Sequence, residues 1–233
     1  MSDAQLIEKS EILGAQELLG AILAQSPSAP ACLTCSFQAE DMIVLSLLRE
    51  RLPEIPVLFL ETGYHFTDTY QFRDQVAADW KLNLVNVAPQ RTVQQQEAKF
   101  GLLYQLDPAK CCQLRKVESL MESLEPFELW FTGLRREQSP TRTNLKKIEH
   151  HKLPSGKTLL KISLLADWTW ARVWEFTRKQ HLAYLPQYDR GYLSIGCEPC
   201  TAIPTSGTDA RSGRWGGKQL ECGIHTFSEK TDA

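Results

Sequence analysis

Short apolar runs alternate with helical stretches between residues 31 and 87, and this alternation constrains the fold more than any other feature. Ala31 to Phe37 and Pro56 to Leu60 are too short for core helices and read as buried strands. Leu82 to Val87 reads as a third strand. Between them, Glu40 to Arg51 carries Met42, Ile43, Leu45, Leu47 and Leu48 at helical spacing, and Phe66 to Trp80 continues as a second helix. Parallel strands need crossover helices, so the economical solution is a parallel sheet covered by helices: an α/β fold.

The flanking chain fits that frame. Residues 5 to 24 are predicted as one amphipathic helix, closed by Ser26-Pro27-Ser28-Ala29-Pro30. Thr92 to Gly101 and Pro108 to Leu124 read as helices. Glu128 to Thr132 is a fourth strand, Thr158 to Leu164 a fifth, and Thr169 to Gln180 a helix. From Thr201 onward glycines recur and periodicity fades, which predicts a mobile C-terminal tail over 201–233 behind a single domain over 1–200. The 233 residues suffice for one such domain with a sizeable core.

A net charge of −2 argues against a broad nucleic-acid footprint. No apolar run approaches the ~20 residues needed to span a bilayer, and the N-terminus shows no signal-peptide pattern. The expected compartment is the cytoplasm. Structural disulfides are rare there, so the seven cysteines need another explanation.

Chemistry-bearing residues gather at the expected ligand edge of the sheet. Ser36 opens the first βα turn, where a helix N-terminus offers N–H groups to an anion, although a capping serine has the same pattern. Thr62 and Gly63 follow the second strand, a position that suits either the approach of a nucleotide or a plain βα turn. Gly133, Arg135, Arg136 and Arg142 follow the fourth, and Arg211 and Arg214 lie in the glycine-rich tail. Arginine forks match phosphate and sulfate oxygens.

The cysteines are the sharpest local signal. Cys197-Glu198-Pro199-Cys200 suits zinc, an iron–sulfur cluster or a redox dithiol. Adjacent Cys111 and Cys112 would complete four soft ligands, and adjacency favours a [4Fe–4S] cluster over a zinc knuckle. Lys116 lies where it would couple the cluster's negative charge to an anionic substrate. Cys32 and Cys35 share a C-x-x-C spacing but fall on a strand, facing opposite sides, and are assigned to the core.

These pieces coincide with one family. Ser36-Phe37-Gln38-Ala39-Glu40-Asp41, Glu61-Thr62-Gly63, Lys110-Cys111-Cys112 with Arg115-Lys116, Thr132 to Arg142, Ser194 to Thr201, Arg211 to Trp215 and Glu221-Cys222-Gly223-Ile224-His225 resemble the assimilatory adenylylsulfate reductases, relatives of the phosphoadenylylsulfate reductases. The resemblance implies the adenine nucleotide alpha-hydrolase-like (ATP-pyrophosphatase-like) α/β sandwich. It implies that Cys111, Cys112, Cys197 and Cys200 hold a [4Fe–4S] cluster that does not shuttle electrons, and that Cys222 is the nucleophile. Lys116 and His225 would assist it, with Ser36, Thr62, Gly63, Gly133, Arg135, Arg136, Arg142, Arg211 and Arg214 around the substrate.

The implied reaction is reduction of adenylylsulfate to sulfite and AMP through an S-sulfocysteine on Cys222, with thioredoxin or a glutaredoxin-like protein as partner. It belongs to sulfate assimilation and cysteine biosynthesis. The sequence is compatible with a homo-oligomer and has no feature that sets its size. Three other readings are weighed against this one. A phosphoadenylylsulfate or dual-substrate reductase uses the same chemistry, but relatives that prefer that substrate lack the cluster cysteines. A nucleotide-binding protein with a structural zinc held by the four cysteines would be colourless. An ATP pyrophosphatase would need more glycine around residues 36 to 41.

Overall fold

The apolar run that becomes β1 (Ala31–Thr34) sits at the middle of the sheet because both of its faces are buried. Successive side chains of a strand point to opposite faces. Leu33 accordingly joins one apolar cluster and Cys32 the other. β2 (Pro56–Leu60) and β3 (Asn83–Val87) extend the sheet on one side, and β4 (Leu129–Thr132) and β6 (Thr158–Ser163) on the other, all parallel. With β5 (Ile148–Lys152) at the edge, the order is β3-β2-β1-β4-β6-β5. The computed structural model describes residues 3–204, 211–217 and 221–224.

Helices cover both faces. On one side α1 (Asp3–Ser10), α2 (Ala15–Gln25), α3 (Ala39–Arg49), α4 (Thr67–Trp80) and α9 (Trp170–Lys179) supply Leu6, Leu18, Ile43, Val76 and Val173 to the larger cluster. The opposite cluster gathers Leu120, Met121 and Leu124 against Cys32, Leu58 and Trp130. Between β3 and β4 the chain forms α5 (Val93–Phe100), α6 (Leu103–Leu106), α7 (Pro108–Cys112) and α8 (Glu118–Leu124). This is the single-domain α/β sandwich that the alternation predicts.

Three features differ from the sequence reading. The helix expected over residues 5 to 24 is two helices. Gly14 caps the second, and its N–H donates to Glu17 Oε2 at 2.9 Å. The intervening Ile12 is fully out in solvent, so it matched the apolar pattern without belonging to the core. A sixth strand, β5 (Ile148–Lys152), pairs antiparallel with β6 at the sheet edge. The helix expected over Pro108 to Leu124 runs through, but residues Gln113–Val117 adopt a π-helical turn between α7 and α8. Such turns re-aim side chains and recur at functional sites.

The strand order fixes where a ligand fits. β1 connects to β2 on one side, while β4 returns to its other side. Open α/β sheets bind ligands outside the carboxyl ends of the strands at such a reversal. The residue after Ser36 holds the turn there in an unusual conformation: Phe37 has φ +59°, yet its ring is fully buried against Phe59 and Phe72. A bulky residue at positive φ persists only where its surroundings impose it, and such strain gathers at functional turns.

Of the expected mobile tail over 201–233, residues 201–204, 211–217 and 221–224 are described. Thr201 forms a bridge with Arg214, and Trp215 and Ile224 are buried. These residues of the tail are packed on the domain, while Ala202 and Ile203 are exposed. Among the described residues no helix is long and apolar enough to cross a membrane.

Candidate active site

A cleft opens at the carboxyl ends of β1, β2 and β4. Ser36, Gly133, Arg135, Arg142, Arg211, Arg214, Lys116 and Cys222 all line it, so eight of the expected site residues meet there. They come from four separate stretches of chain, brought together by the sheet edge, the π-turn and the returning C-terminal segment.

Ser36 and Gly133 are joined through a carboxylate. Ser36 donates from its N–H and its Oγ to Asp41 Oδ2, both at 2.6 Å. Gly133 N–H also donates to Asp41. Burial pushes the Asp41 pKa up to about 6, partly opposed by the Ser36 and Gly133 bonds and reinforced by neighbouring Glu40. The end of β1, the start of α3 and the end of β4 are thus tied at one buried acid.

Gly133 has no room for a side chain. A Cβ there would lie 2.2 Å from Asp41 Oδ1 and 3.1 Å from the Asp41 backbone N. Gly133→Ala should therefore displace the turn. We expect stability to fall by ~1–3 kcal/mol, the usual cost of overpacking. Denaturant unfolding measures the effect.

The arginines separate into roles that charge alone did not reveal. Arg135 is buried, donates to Glu40 Oε1 from Nε and Nη2 at 3.0 and 2.8 Å, and reaches Glu137 and the Trp168 carbonyl. It lines the cleft but is spent on holding the loop. Arg136 does not enter the cleft: its guanidinium donates to Glu11 and, at 2.8 Å, to the Leu145 carbonyl. A carboxylate on the α1–α2 link draws it away from the residues that line the cleft. Arg142 spends Nε and Nη2 on Glu221 and Nη1 on Gln138.

Thr62 and Gly63 also stand elsewhere. Thr62 is fully buried, with its hydroxyl 3.4 Å from Cys197 Sγ, and its carbonyl accepts from Arg115 Nε. Gly63 has φ +70°, and a Cβ would meet Val93 at 2.6 Å. Neither Thr62 nor Gly63 lines the cleft, and Thr62 instead meets Cys197.

Those cysteines form a second recess. Cys111, Cys112, Cys197 and Cys200 line one cavity with Arg115, Lys116, Arg214 and Trp215. All four thiols are free. Burial pushes Cys111, Cys112 and Cys200 up to about 11. Burial also opposes the Cys197 thiolate, but Lys116, the Thr62 hydroxyl and Arg214 outweigh it and hold its pKa below the ordinary value. No carboxylate is among the lining residues. Four thiols facing three cations suit an anionic thiolate-held group. Among the described residues no group of three or more His, Cys, Asp or Glu is arranged to hold a single metal ion.

Lys116 and Arg214 line both cavities and form the wall between them. Burial disfavours the Lys116 ammonium, yet Cys197, Cys112 and Cys222 outweigh it and hold its pKa above the ordinary value. Arg214 lies under Trp215, with its guanidinium 4.5 Å from the ring centroid. Cys222 is half-buried between the cleft, the apolar cluster below β1 and the cysteine recess. His225 lies outside the described residues.

His65 is a cleft residue that the sequence did not single out as such. Its Nε2 bonds the Leu60 carbonyl at 2.9 Å, which requires that nitrogen to carry the proton. Burial, then Lys116, lowers its pKa to about 4, so it is neutral at physiological pH. Cys32 and Cys35 are buried on opposite faces of the sheet, as their spacing on a strand predicts.

The chain has clear relatives. The sequence profile of the phosphoadenosine phosphosulfate reductase domain matches residues 30–203. A Geobacillus kaustophilus protein named adenosine 5'-phosphosulfate reductase is 44% identical over 194 residues, covering 82% of this chain and 81% of its own. A Bacillus thuringiensis protein of the same name is 38% identical over 228 residues, covering 96% and 95%. The phosphoadenylyl-sulfate reductase of Candida auris superposes with a TM-score of 0.73 at 22% identity, covering 87% of this chain and 98% of that one, which is agreement in fold. With a domain match over most of its length and relatives this similar, the chain belongs to the phosphoadenosine phosphosulfate reductase family.

Proposed function

We propose that this protein is an adenylylsulfate reductase in which Cys222 takes the sulfonate from adenylylsulfate. The observation that carries the proposal is the placing of Cys222 in one cleft with Lys116, Arg211 and Arg214. The names of the relatives support adenylylsulfate as the substrate.

The nucleotide enters the cleft at the carboxyl ends of β1 and β4. The sulfur it presents is an electrophile shielded by anionic oxygens, and a thiolate meets like charge on approach. Lys116 and Arg214 offset that repulsion from a buried position, where preorganised charge is worth most. The Cys222 thiolate forms a bond to sulfur while the bond from sulfur to the phosphate oxygen breaks, and the electron pair leaves with AMP. The product on the protein is an S-sulfocysteine. A dithiol protein of the thioredoxin or glutaredoxin kind then attacks Cys222 Sγ. Sulfite leaves with the sulfur–sulfur bonding pair, and the second thiol of the reductant frees Cys222 as the reductant becomes a disulfide. No electron passes beyond these sulfur atoms.

Cys111, Cys112, Cys197 and Cys200 would hold a [4Fe–4S] cluster. When bound, it would supply a compact negative charge beside the cationic wall. Lys116 and Arg214 are the chain's own link between that recess and the substrate cleft. For the second step Cys222 would have to become accessible to the reductant, and His225 is proposed to assist the thiol. Seven free thiols suit a reducing compartment, so the proposed location is the cytoplasm.

The test is sulfite release from adenylylsulfate and from phosphoadenylylsulfate, side by side, with thioredoxin supplied. The expected result is kcat/KM for adenylylsulfate at least about tenfold higher, a preference of ~1.4 kcal/mol. Equal or reversed preference would give the substrate assignment to the 3′-phosphorylated nucleotide.

A further inference from the structure

Two residues anchor the segment that carries Cys222. Ile224 is buried in the apolar cluster beside Val117 and Trp130. On the other side, Glu221 meets a fitted polar seat. Its Oε1 accepts from Thr141 Oγ1 and Arg142 Nε, both at 2.8 Å, and its Oε2 accepts from Arg142 Nη2 at 2.7 Å. Arg211 Nη2 adds a longer ion pair at 3.8 Å. The Glu221 and Arg142 side chains are each only 9% exposed. A planar fork of this kind fixes orientation as well as charge.

The pair joins parts of the chain that are 79 residues apart. Arg142 belongs to the loop after β4, on the cleft wall, and Glu221 directly precedes Cys222. A surface ion pair would contribute little. A buried bidentate one resists loss of either partner, because the other is then left charged and unpaired. Burial opposes ionisation of Glu221, but Arg142 and Arg211 outweigh it and hold its pKa below the ordinary value.

We propose that Glu221 is a positioning residue for the sulfonate transfer: its seat on Arg142 and Thr141 holds Cys222 over the cleft, and its release lets the thiol leave. The proposal rests on the reading of Cys222 as nucleophile. It gives Arg142 a different task from substrate binding. The arginine's fork is engaged by the protein's own carboxylate, and its contribution to catalysis runs through the position of the tail. The seat has to open for the second step, since a protein reductant cannot reach a thiol held inside the cleft. Loss of Glu221 should therefore slow transfer and leave sulfite release unchanged or faster.

The experiment uses the full chain with its cofactor. Formation of S-sulfocysteine on Cys222 is followed in a single turnover with adenylylsulfate. Sulfite release from the adduct by thioredoxin is measured separately. In Glu221→Gln the transfer rate should fall about tenfold while release does not fall, and Glu221→Asp should recover part of the loss. Arg142→Gln should reproduce the slowing. The double variant should be no slower than the worse single one, because both remove one interaction. Transfer at the parent rate in Glu221→Gln, or fully additive losses in the double variant, would overturn the proposal.

A second readout needs no turnover. Alkylation of Cys222 by iodoacetamide, read by peptide mass, is followed against pH up to its plateau. The plateau reports access to the thiolate, and the midpoint reports its charge environment. Glu221→Gln should raise the plateau about tenfold over the parent protein. An unchanged plateau contradicts the seat. If the parent protein forms no sulfonate adduct while the plateau still rises, the nucleophile assignment fails and the seat stands.

Discussion

Cys222→Ser should abolish sulfite production, lowering turnover by at least about 10⁴-fold, while leaving the protein folded and able to bind AMP. A serine hydroxyl is almost wholly protonated at neutral pH and is a weak nucleophile without a base to activate it. The carboxylates of the cleft are engaged elsewhere, Glu40 by Arg135 and Asp41 by Ser36, and its imidazole, His65, is neutral with its proton on the nitrogen facing the Leu60 carbonyl. Cys222 is half-buried and has no structural partner as demanding as those of Glu221 or Ile224. Stability should therefore change by no more than ~0.5 kcal/mol, the range of an ordinary surface substitution. Steady-state sulfite assays, AMP calorimetry and denaturant unfolding measure the three quantities. Residual turnover within a hundredfold of the parent would mean that another thiol carries the sulfonate.

The second large effect is expected at Lys116. Methionine keeps its length and flexibility but removes the charge from the wall between the two recesses. We expect Lys116→Met to lower kcat by about 10²–10³-fold, the size seen when one preorganised electrostatic contact is lost. KM should change less, because the charge matters most as the thiolate approaches the sulfonate. The ammonium is held protonated by Cys197, Cys112 and Cys222 against the effect of burial, so its loss is not a matter of pH over the neutral range. Arginine at this position should recover part of the rate, since it restores charge with a different shape. A kcat within threefold of the parent, with only the unfolding midpoint shifted, would reduce Lys116 to a structural partner of the cysteines.

The centre of the fold was legible because its strands are buried on both faces. Leu33 and Cys32, or Phe131 and Trp130, pack into opposite clusters, and such strands read as continuous apolar runs. β5 escaped because it is an edge strand of sequence Ile-Glu-His-His-Lys, with few apolar positions to count. The turn signal Pro154-Ser155-Gly156 just before β6 was the available clue. The break between α1 and α2 escaped because Ile12 kept the apolar spacing while pointing into solvent. Nothing in the periodicity of residues 108 to 124 marks the π-turn that delivers Lys116 to the cleft.

The site was legible as residue types and less so as partnerships. Cysteines and arginines stand out in a sequence, but which carboxylate an arginine meets depends on residues far away. Arg135 meets Glu40 across 95 positions, and Arg136 meets Glu11 across 125. Neither partner is visible from local sequence, and only Arg135 of the two lines the cleft. Thr62 shows the same dependence: its hydroxyl meets Cys197, which enters from the far end of the chain. Asp41 and Glu221 lay in view inside the quoted motifs, and only the structure shows that each carboxylate joins separate strands of the site.

The central claim is that one thiol, Cys222, receives the sulfonate. Its most direct test is intact-mass analysis of the reduced protein after a single turnover with adenylylsulfate and no added reductant. The account predicts the mass of one added sulfonate, located on the peptide containing Cys222, absent from Cys222→Ser and discharged as sulfite by thioredoxin. No adduct in the parent protein, or an adduct that persists in Cys222→Ser, would contradict it.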